Sequence, residues 1–249
     1  MRYSRLFLLL LLYFTGRAQP SPEKDTPALV ISHLSGDFYI CTTYTMIDDE
    51  RFPCNNMYVV TSDGIIMIDT PMDSTQFQPM LDSIRLRHHK EVVLCIATHF
   101  HSDCTGGFDF LKAKGIKTYS SKLTLELCRQ RNEKQAQFYF EKDTSFTIGQ
   151  YSFQTFFPGQ GHSKDNIVIW FGDDRILYGG CFVKSREATN LGNLSDANVN
   201  EWSGSINRVL EKFPRQSYVI PGHQNWLGRR ALQHTLYLLR KYKGMFKTT

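Results

Sequence analysis

The sequence predicts an α/β protein built as a four-layer αββα sandwich, with two β-sheets face to face between outer layers of helices. Three observations predict it. The run Val92-Val93-Leu94-Cys95-Ile96-Ala97 is apolar without interruption, which marks a strand buried on both faces. Stretches with helical spacing occur in both halves of the chain, so helices are available for both outer surfaces. The second half also repeats the first in outline, with strands joined by a tight turn and followed by a helix.

The chain opens with Arg2 and Arg5, an apolar run over 6–14 and the small residues of Gly16-Arg17-Ala18. That is the pattern of a secretory signal cleaved after Ala18, so the expected organisation is a signal over 1–18 and one domain over 19–249. The apolar run is too short for a membrane span, which takes about 20 residues. No cysteine follows it closely, so no lipid anchor is expected after cleavage. Residues 21–26 read as an unstructured lead.

Strands are expected over 38–45, 57–61 and 65–68. A polar, charged segment containing Phe52 lies between the first two, over 46–53, and Ser62-Asp63-Gly64 makes a tight turn before the third. Asp69-Thr70-Pro71 stops that strand. A helix follows over 74–88, with Phe77, Met80, Leu81 and Ile84 on one side. After the buried strand over 91–97 come a helical stretch over 106–113 and a second helix to 131 capped by Ser121. The second half gives strands over 151–157, 167–171 and 175–178, the last two joined by Gly172-Asp173-Asp174. A helix over 200–213 carries Trp202, Ile206, Val209 and Leu210. A short strand over 218–220 ends at Pro221-Gly222-His223, and an amphipathic helix over 229–242 closes the chain.

The formal charge is +5, of which Arg2, Arg5 and Arg17 in the signal supply three, leaving about +2. No basic stripe remains to bind nucleic acid. The six cysteines, Cys41, Cys54, Cys95, Cys104, Cys128 and Cys181, do not form a dense disulfide framework. Cys95 reads as a buried thiol in its strand. Cys41 and Cys54 flank the polar segment, and their spacing leaves a cross-strand disulfide open.

The chemistry concentrates after the buried strand, in Thr98-His99-Phe100-His101-Ser102-Asp103. Three metal-capable side chains at alternate positions leave a strand end, where a turn can aim them into one space. The same context recurs at Gly159-Gln160-Gly161-His162-Ser163, at Gly179-Gly180-Cys181 and at Pro221-Gly222-His223, small residues beside each candidate ligand. Imidazole, thiolate and carboxylate together suit zinc better than magnesium or calcium. The remaining histidines, His33, His88, His89 and His234, lack this context and read as surface or capping residues.

This ordered set resembles the class B metallo-β-lactamases, in the subclass whose first zinc has three histidines, over nearly the whole chain from residue 38 to the last helix. The resemblance implies two Zn(2+) ions per subunit, one held by His99, His101 and His162 and the other by Asp103, Cys181 and His223. It implies that Lys184, in Gly180-Cys181-Phe182-Val183-Lys184, grips the substrate carboxylate. Asn193, in Leu191-Gly192-Asn193-Leu194, then binds substrate and polarises the lactam carbonyl, so that Asp103 and Asn193 stand as the residues of the chemistry. The segment over 46–53 matches a mobile hairpin over the substrate, and Asp69 falls where a residue behind the ligands would stand. The activity implied is zinc-dependent hydrolysis of the β-lactam amide bond of penicillins, cephalosporins and carbapenems by a zinc-bound hydroxide. That activity confers antibiotic resistance and belongs in the periplasm, in a protein expected to be a monomer whose partner is the small-molecule substrate. Two departures stand out: Cys104 after the motif aspartate, and Met72 where many relatives carry an aromatic. Alternatives are another hydrolase of the same fold, such as a thioester hydrolase of the glyoxalase II kind or a nuclease, and a zinc-binding protein without turnover. The hydrolases usually place a histidine after the motif aspartate and an aspartate between the metals, where this chain has Cys104 and Cys181. Lys184 and Asn193 argue against the storage protein.

Overall fold

Four consecutive apolar residues, Ile65-Ile66-Met67-Ile68, show how the layers arise. Successive side chains of a strand point to opposite faces. Ile66 and Ile68 therefore enter one apolar cluster, and Ile65 and Met67 another. A strand buried on both sides must lie between two packed layers, and the computed structural model, which describes residues 28–245, has that arrangement. The expected signal over 1–18 and lead over 21–26 lie outside the described residues.

The first sheet has seven strands in chain order: β1 (Leu29–Ser35), β2 (Phe38–Ile47), β3 (Glu50–Thr61), β4 (Gly64–Ile68), β5 (Val92–Ile96), β6 (Lys117–Ser121) and β7 (Phe138–Phe140). The second sheet runs β12-β11-β10-β9-β8, with β8 (Ser145–Ile148), β9 (Tyr151–Phe156), β10 (Val168–Phe171), β11 (Ile176–Gly180) and β12 (Tyr218–Pro221). Phe38, Met57, Ile68 and Ile96 meet Ile169, Phe171, Tyr178 and Ile220 between the sheets. Helices α1 (Phe77–His88) and α3 (Phe108–Ala113) cover the outer face of the first sheet through Met80, Ile84, Phe108 and Leu111. Helices α5 (Val199–Lys212) and α6 (Ala231–Met245) cover the second through Trp202, Ile206, Leu232 and Leu239. The four-layer expectation is the observed architecture.

β4, β5, β6 and β7 pair in parallel, as do β11 and β12. In parallel sheets the loops beyond the strand C-termini open onto one edge, where ligands bind. Here the two sheets are also stitched together at that edge. The Asn55 N–H donates to Gly222 O at 2.8 Å, its side-chain amide donates to Pro221 O and Gln224 O at 3.0 and 2.8 Å, and the Tyr178 hydroxyl donates to Asn55 O at 2.7 Å.

Four strands escape the sequence reading. β1, β7 and β8 are edge strands with little or no full burial, and β6 puts the polar Thr118 and Ser120 inward. The segment over 46–53, expected as a hairpin, prolongs both flanking strands. β2 and β3 stay in register out to Ile47 opposite Glu50, and Asp48 and Asp49 turn the ribbon with φ of 49° and 63°. All six thiols are free. Cys41 faces Asn56 while Cys54 faces Thr43, so the two cysteines sit two positions out of register.

Candidate metal centre

Thr98, the residue before the first histidine, is held from below by Asp69. The Asp69 carboxylate accepts from the Thr98 N–H at 2.7 Å and from its hydroxyl at 2.8 Å. Asp69 itself adopts a left-handed φ of 61°, a conformation that a non-glycine residue keeps only when its surroundings enforce it. Burial pushes its carboxyl up to about 7 despite the Thr98 hydrogen bonds. The chain then turns through Phe100 into the short helix α2 (Ser102–Thr105), which carries Asp103.

His99, His101 and His162 come together with ring centres 4.6, 5.0 and 5.1 Å apart. His99 Nε2 and His101 Nδ1 lie 2.9 Å apart. Each of these two rings is fixed through its other nitrogen. His99 Nδ1 meets Cys104 Sγ at 3.1 Å, and His101 Nε2 meets Asp196 Oδ2 at 3.1 Å. His162 is buried, and its Nδ1 has no hydrogen-bond partner among the described residues. Burial pushes His99 down to about 3, against the pull of Asp103, and drives His162 well below the usual range for the same reason. Both rings are therefore neutral and keep a lone pair at pH 7.

Asp103, Cys181 and His223 form a second triad whose edges are equal. Asp103 Oδ2, Cys181 Sγ and His223 Nε2 stand 3.1 Å from one another, and Asp103 Oδ1 lies 3.7 Å from His99 Nε2, which joins the triads. His223 Nδ1 points to Pro53 O at 3.3 Å. Glycines make the close approach feasible. Gly180 has φ of +53°, and a Cβ on Gly222 would stand 2.7 Å from the Cys181 sulfur. Burial works to raise Asp103, but the His223 hydrogen bond and the neighbouring histidines hold it well below the usual carboxylate range. A hydrogen bond from Cys104 leads the effects that lower Cys181, against its own burial, while burial raises Cys104. Of the two thiols the one at position 181 therefore ionises the more readily.

A cavity of about 770 Å³ opens over both triads. Ile47, Phe52 and Met72 line it, with Lys184 and Asn193, and the Phe52 ring lies 4.9 Å from that of His223. Lys184 is buried, its Nζ 5.3 Å from the centre of the Trp202 ring, and burial lowers its pKa. Asn193 Oδ1 accepts from the Ser195 N–H at 3.0 Å, which leaves the amide nitrogen as its donor. Asp196 is the residue that sequence reasoning missed. It orients His101 and is itself held by Arg131 at 2.7 Å. Nothing local marks it, since it lies in a loop and meets His101 from 95 residues away. Three of the other histidines have partners elsewhere: His33 meets Gly36 O at 2.8 Å, His88 the Tyr58 hydroxyl at 2.9 Å and His234 Ala188 O at 2.9 Å.

These residues fit zinc. Imidazoles, a lowered thiol and a lowered carboxyl converge at spacings near a tetrahedral edge, about 3.3 Å for nitrogen ligands. The second ring nitrogens of His99, His101 and His223 are held by Cys104, Asp196 and Pro53 O, the support that ligating histidines commonly have. Because the donors face a cavity rather than a closed shell of protein, fold and centre define a metal-dependent hydrolase. The comparisons with known proteins narrow the class. The model of the metallo-beta-lactamase superfamily matches residues 49–223. Metallo-beta-lactamase type 2 of Elizabethkingia meningoseptica is 39% identical over 226 residues, 91% of each chain. The protein of that name from Bacillus cereus is 36% identical over 88% of this chain and 85% of its own. The solved metallo-beta-lactamase of Pontibacter korlensis superposes with a TM-score of 0.83 at 32% identity, over 85% of this chain and 99% of its own. The chain belongs to the metallo-beta-lactamase superfamily, among its class B enzymes.

Proposed function

We propose that the protein is an exported, zinc-dependent β-lactamase that holds two metal ions and opens the lactam amide of penicillins, cephalosporins and carbapenems. One observation carries the reading: two donor triads adjoin on the floor of a cavity whose wall carries a buried lysine. In this reading His99, His101 and His162 hold one zinc, and Asp103, Cys181 and His223 hold the other. Zinc bound there supplies a nucleophile at neutral pH, by lowering the pKa of water to about 7, and a Lewis acid against a carbonyl.

The chain's own groups do the rest. Lys184 receives the substrate carboxylate, and its burial strengthens that ion pair by removing competing water. The Asn193 amide donates to the carbonyl oxygen as charge develops on it. Asp103 spans the two triads, through Oδ2 to Cys181 and His223 and through Oδ1 toward His99, and fixes their spacing. Asp69 and Asp196 hold Thr98 and His101 in place from behind. Ile47, Phe52 and Met72 cover apolar parts of the substrate and exclude water. The periplasm is the compartment the leading segment favours, and among the described residues no helix is long and apolar enough to cross a membrane.

Two measurements test this. Zinc-loaded, folded protein is expected to hydrolyse members of all three lactam classes, and a protein that leaves every one intact would sink the proposal. Cys181→Ser is expected to weaken one of two zinc affinities by roughly 100-fold and spare the other. Equal loss at both contradicts the assignment of triads.

A further inference from the structure

Tyr44 stands where the β2–β3 ribbon leaves the body of the first sheet. Among the described residues β1 pairs with β2 only as far as Leu29 opposite Thr43, so beyond Thr43 the outer side of β2 has no strand. On its inner side Tyr44 faces Pro53, which has no N–H to give. A residue opposite proline in an antiparallel ladder takes the non-hydrogen-bonded position, and its own N–H and C=O then point outward. The side chain of Gln76 meets both. Its Oε1 accepts from the Tyr44 N–H at 3.2 Å, and its Nε2 donates to Tyr44 O at 2.5 Å. One amide side chain thus takes the place of the missing strand for one residue.

The position of this contact gives it leverage. Gln76 is buried, 5% exposed, and ends a 3₁₀ turn (Ser74–Gln76) whose cap, Asp73, accepts from the Thr75 N–H at 2.9 Å. Beyond the contact the ribbon carries Ile47 and Phe52 into the wall of the cavity, and its tip is exposed. Met72, in the segment leading to the 3₁₀ turn, lines the same cavity. The Arg51 guanidinium lies 4.2 Å from the centre of the Tyr44 ring, so the ribbon closes on itself at the same point.

We propose that Gln76 is the pin of the ribbon, a positioning residue that fixes where Ile47 and Phe52 stand over the cavity and ties them to Met72. Its catalytic consequence rests on the reading that this cavity receives the lactam; its structural consequence does not. Removing the two hydrogen bonds frees the ribbon beyond Tyr44 and takes no donor from either triad.

Amide hydrogen exchange, zinc content and steady-state kinetics on Gln76→Ala and Gln76→Glu test this together. The glutamate keeps an acceptor for the Tyr44 N–H but sets an acceptor against Tyr44 O, so it guards against a variant that merely fails to fold. In both variants exchange over 45–52 is expected to speed up roughly tenfold, since the alanine loses both hydrogen bonds and the glutamate loses one and sets two acceptors against each other. Exchange over 57–61 and 64–68 and the zinc content are expected to match the parent. KM for lactams is expected to rise several-fold with kcat little changed. Unchanged exchange over 45–52 overturns the pin whatever the kinetics show. Faster exchange spreading through both core strands, or a loss of zinc, overturns it in favour of a general structural role. A freed ribbon with unaltered KM overturns the positioning of substrate. Should the parent open no lactam, the exchange measurement still decides the pin, and the failure falls on the proposed function instead.

Discussion

At the scale of single residues, burial decides which groups carry charge. His99 and His162 are neutral because they are buried, Asp103 is ionised because histidines surround it, and Cys181 ionises more readily than Cys104, which burial raises. Lys184 is buried beside the cavity with Trp202 at its back. Lys184→Ala is therefore expected to cost capture: KM rises and kcat/KM falls by about tenfold or more, with zinc content unchanged. An unaltered rate at low substrate refutes that role. Asp69 gives a pH prediction. Its carboxyl stands near 3.8 when unfolded and about 7 in the folded protein, raised by burial. A raised carboxyl contributes stability that is complete below 3.8 and lost as pH climbs toward 7. In chelator-treated protein, the parent should therefore lose thermal stability relative to Asp69→Asn across that window. A constant difference in Tm from pH 4 to 8 contradicts it.

At the scale of elements, small groups at strand ends make the centre. The convergence of the motif after β5 with Cys181 and His223 was legible in the sequence because each candidate donor sits beside small residues that permit a tight approach. The long apolar strands and amphipathic helices were legible for the same reason, since periodicity reports burial. Legibility failed where the partner is distant or the burial partial. β1 breaks its apolar run at Ser32-His33, β7 and β8 are edge strands of only three and four residues, and β6 buries threonine and serine, so each signal is short or mixed. Asp196 and Gln76 act through contacts with His101 and Tyr44 that no local spacing encodes. α5 shows how an outer element reaches the centre. Trp202 is fully buried, donates to Phe182 O at 3.0 Å, and stands 6.0 Å from the His162 ring. Trp202→Ala is expected to cost about 3–5 kcal/mol and to lower Tm by roughly 10 °C, read by thermal unfolding. A loss within 2 °C would mean that α5 does not anchor this edge.

At the scale of the whole molecule, two sheets meet along one edge, and the donor triads come from both. His99, His101 and Asp103 follow β5 of the first sheet, whereas His162, Cys181 and His223 lie in loops of the second. Hydrogen bonds from Asn55 and Tyr178 hold the sheets together at that seam. The centre therefore exists only when both halves are folded and packed, so metal binding and the fold are linked. The test that reaches this claim most directly is a zinc titration of chelator-treated protein, with bound metal and lactam hydrolysis measured at each step. The account predicts no turnover without metal, recovery on adding zinc, and saturation at two ions per chain. Turnover that survives complete chelation, or a fully zinc-loaded, folded protein that opens no lactam, would contradict it.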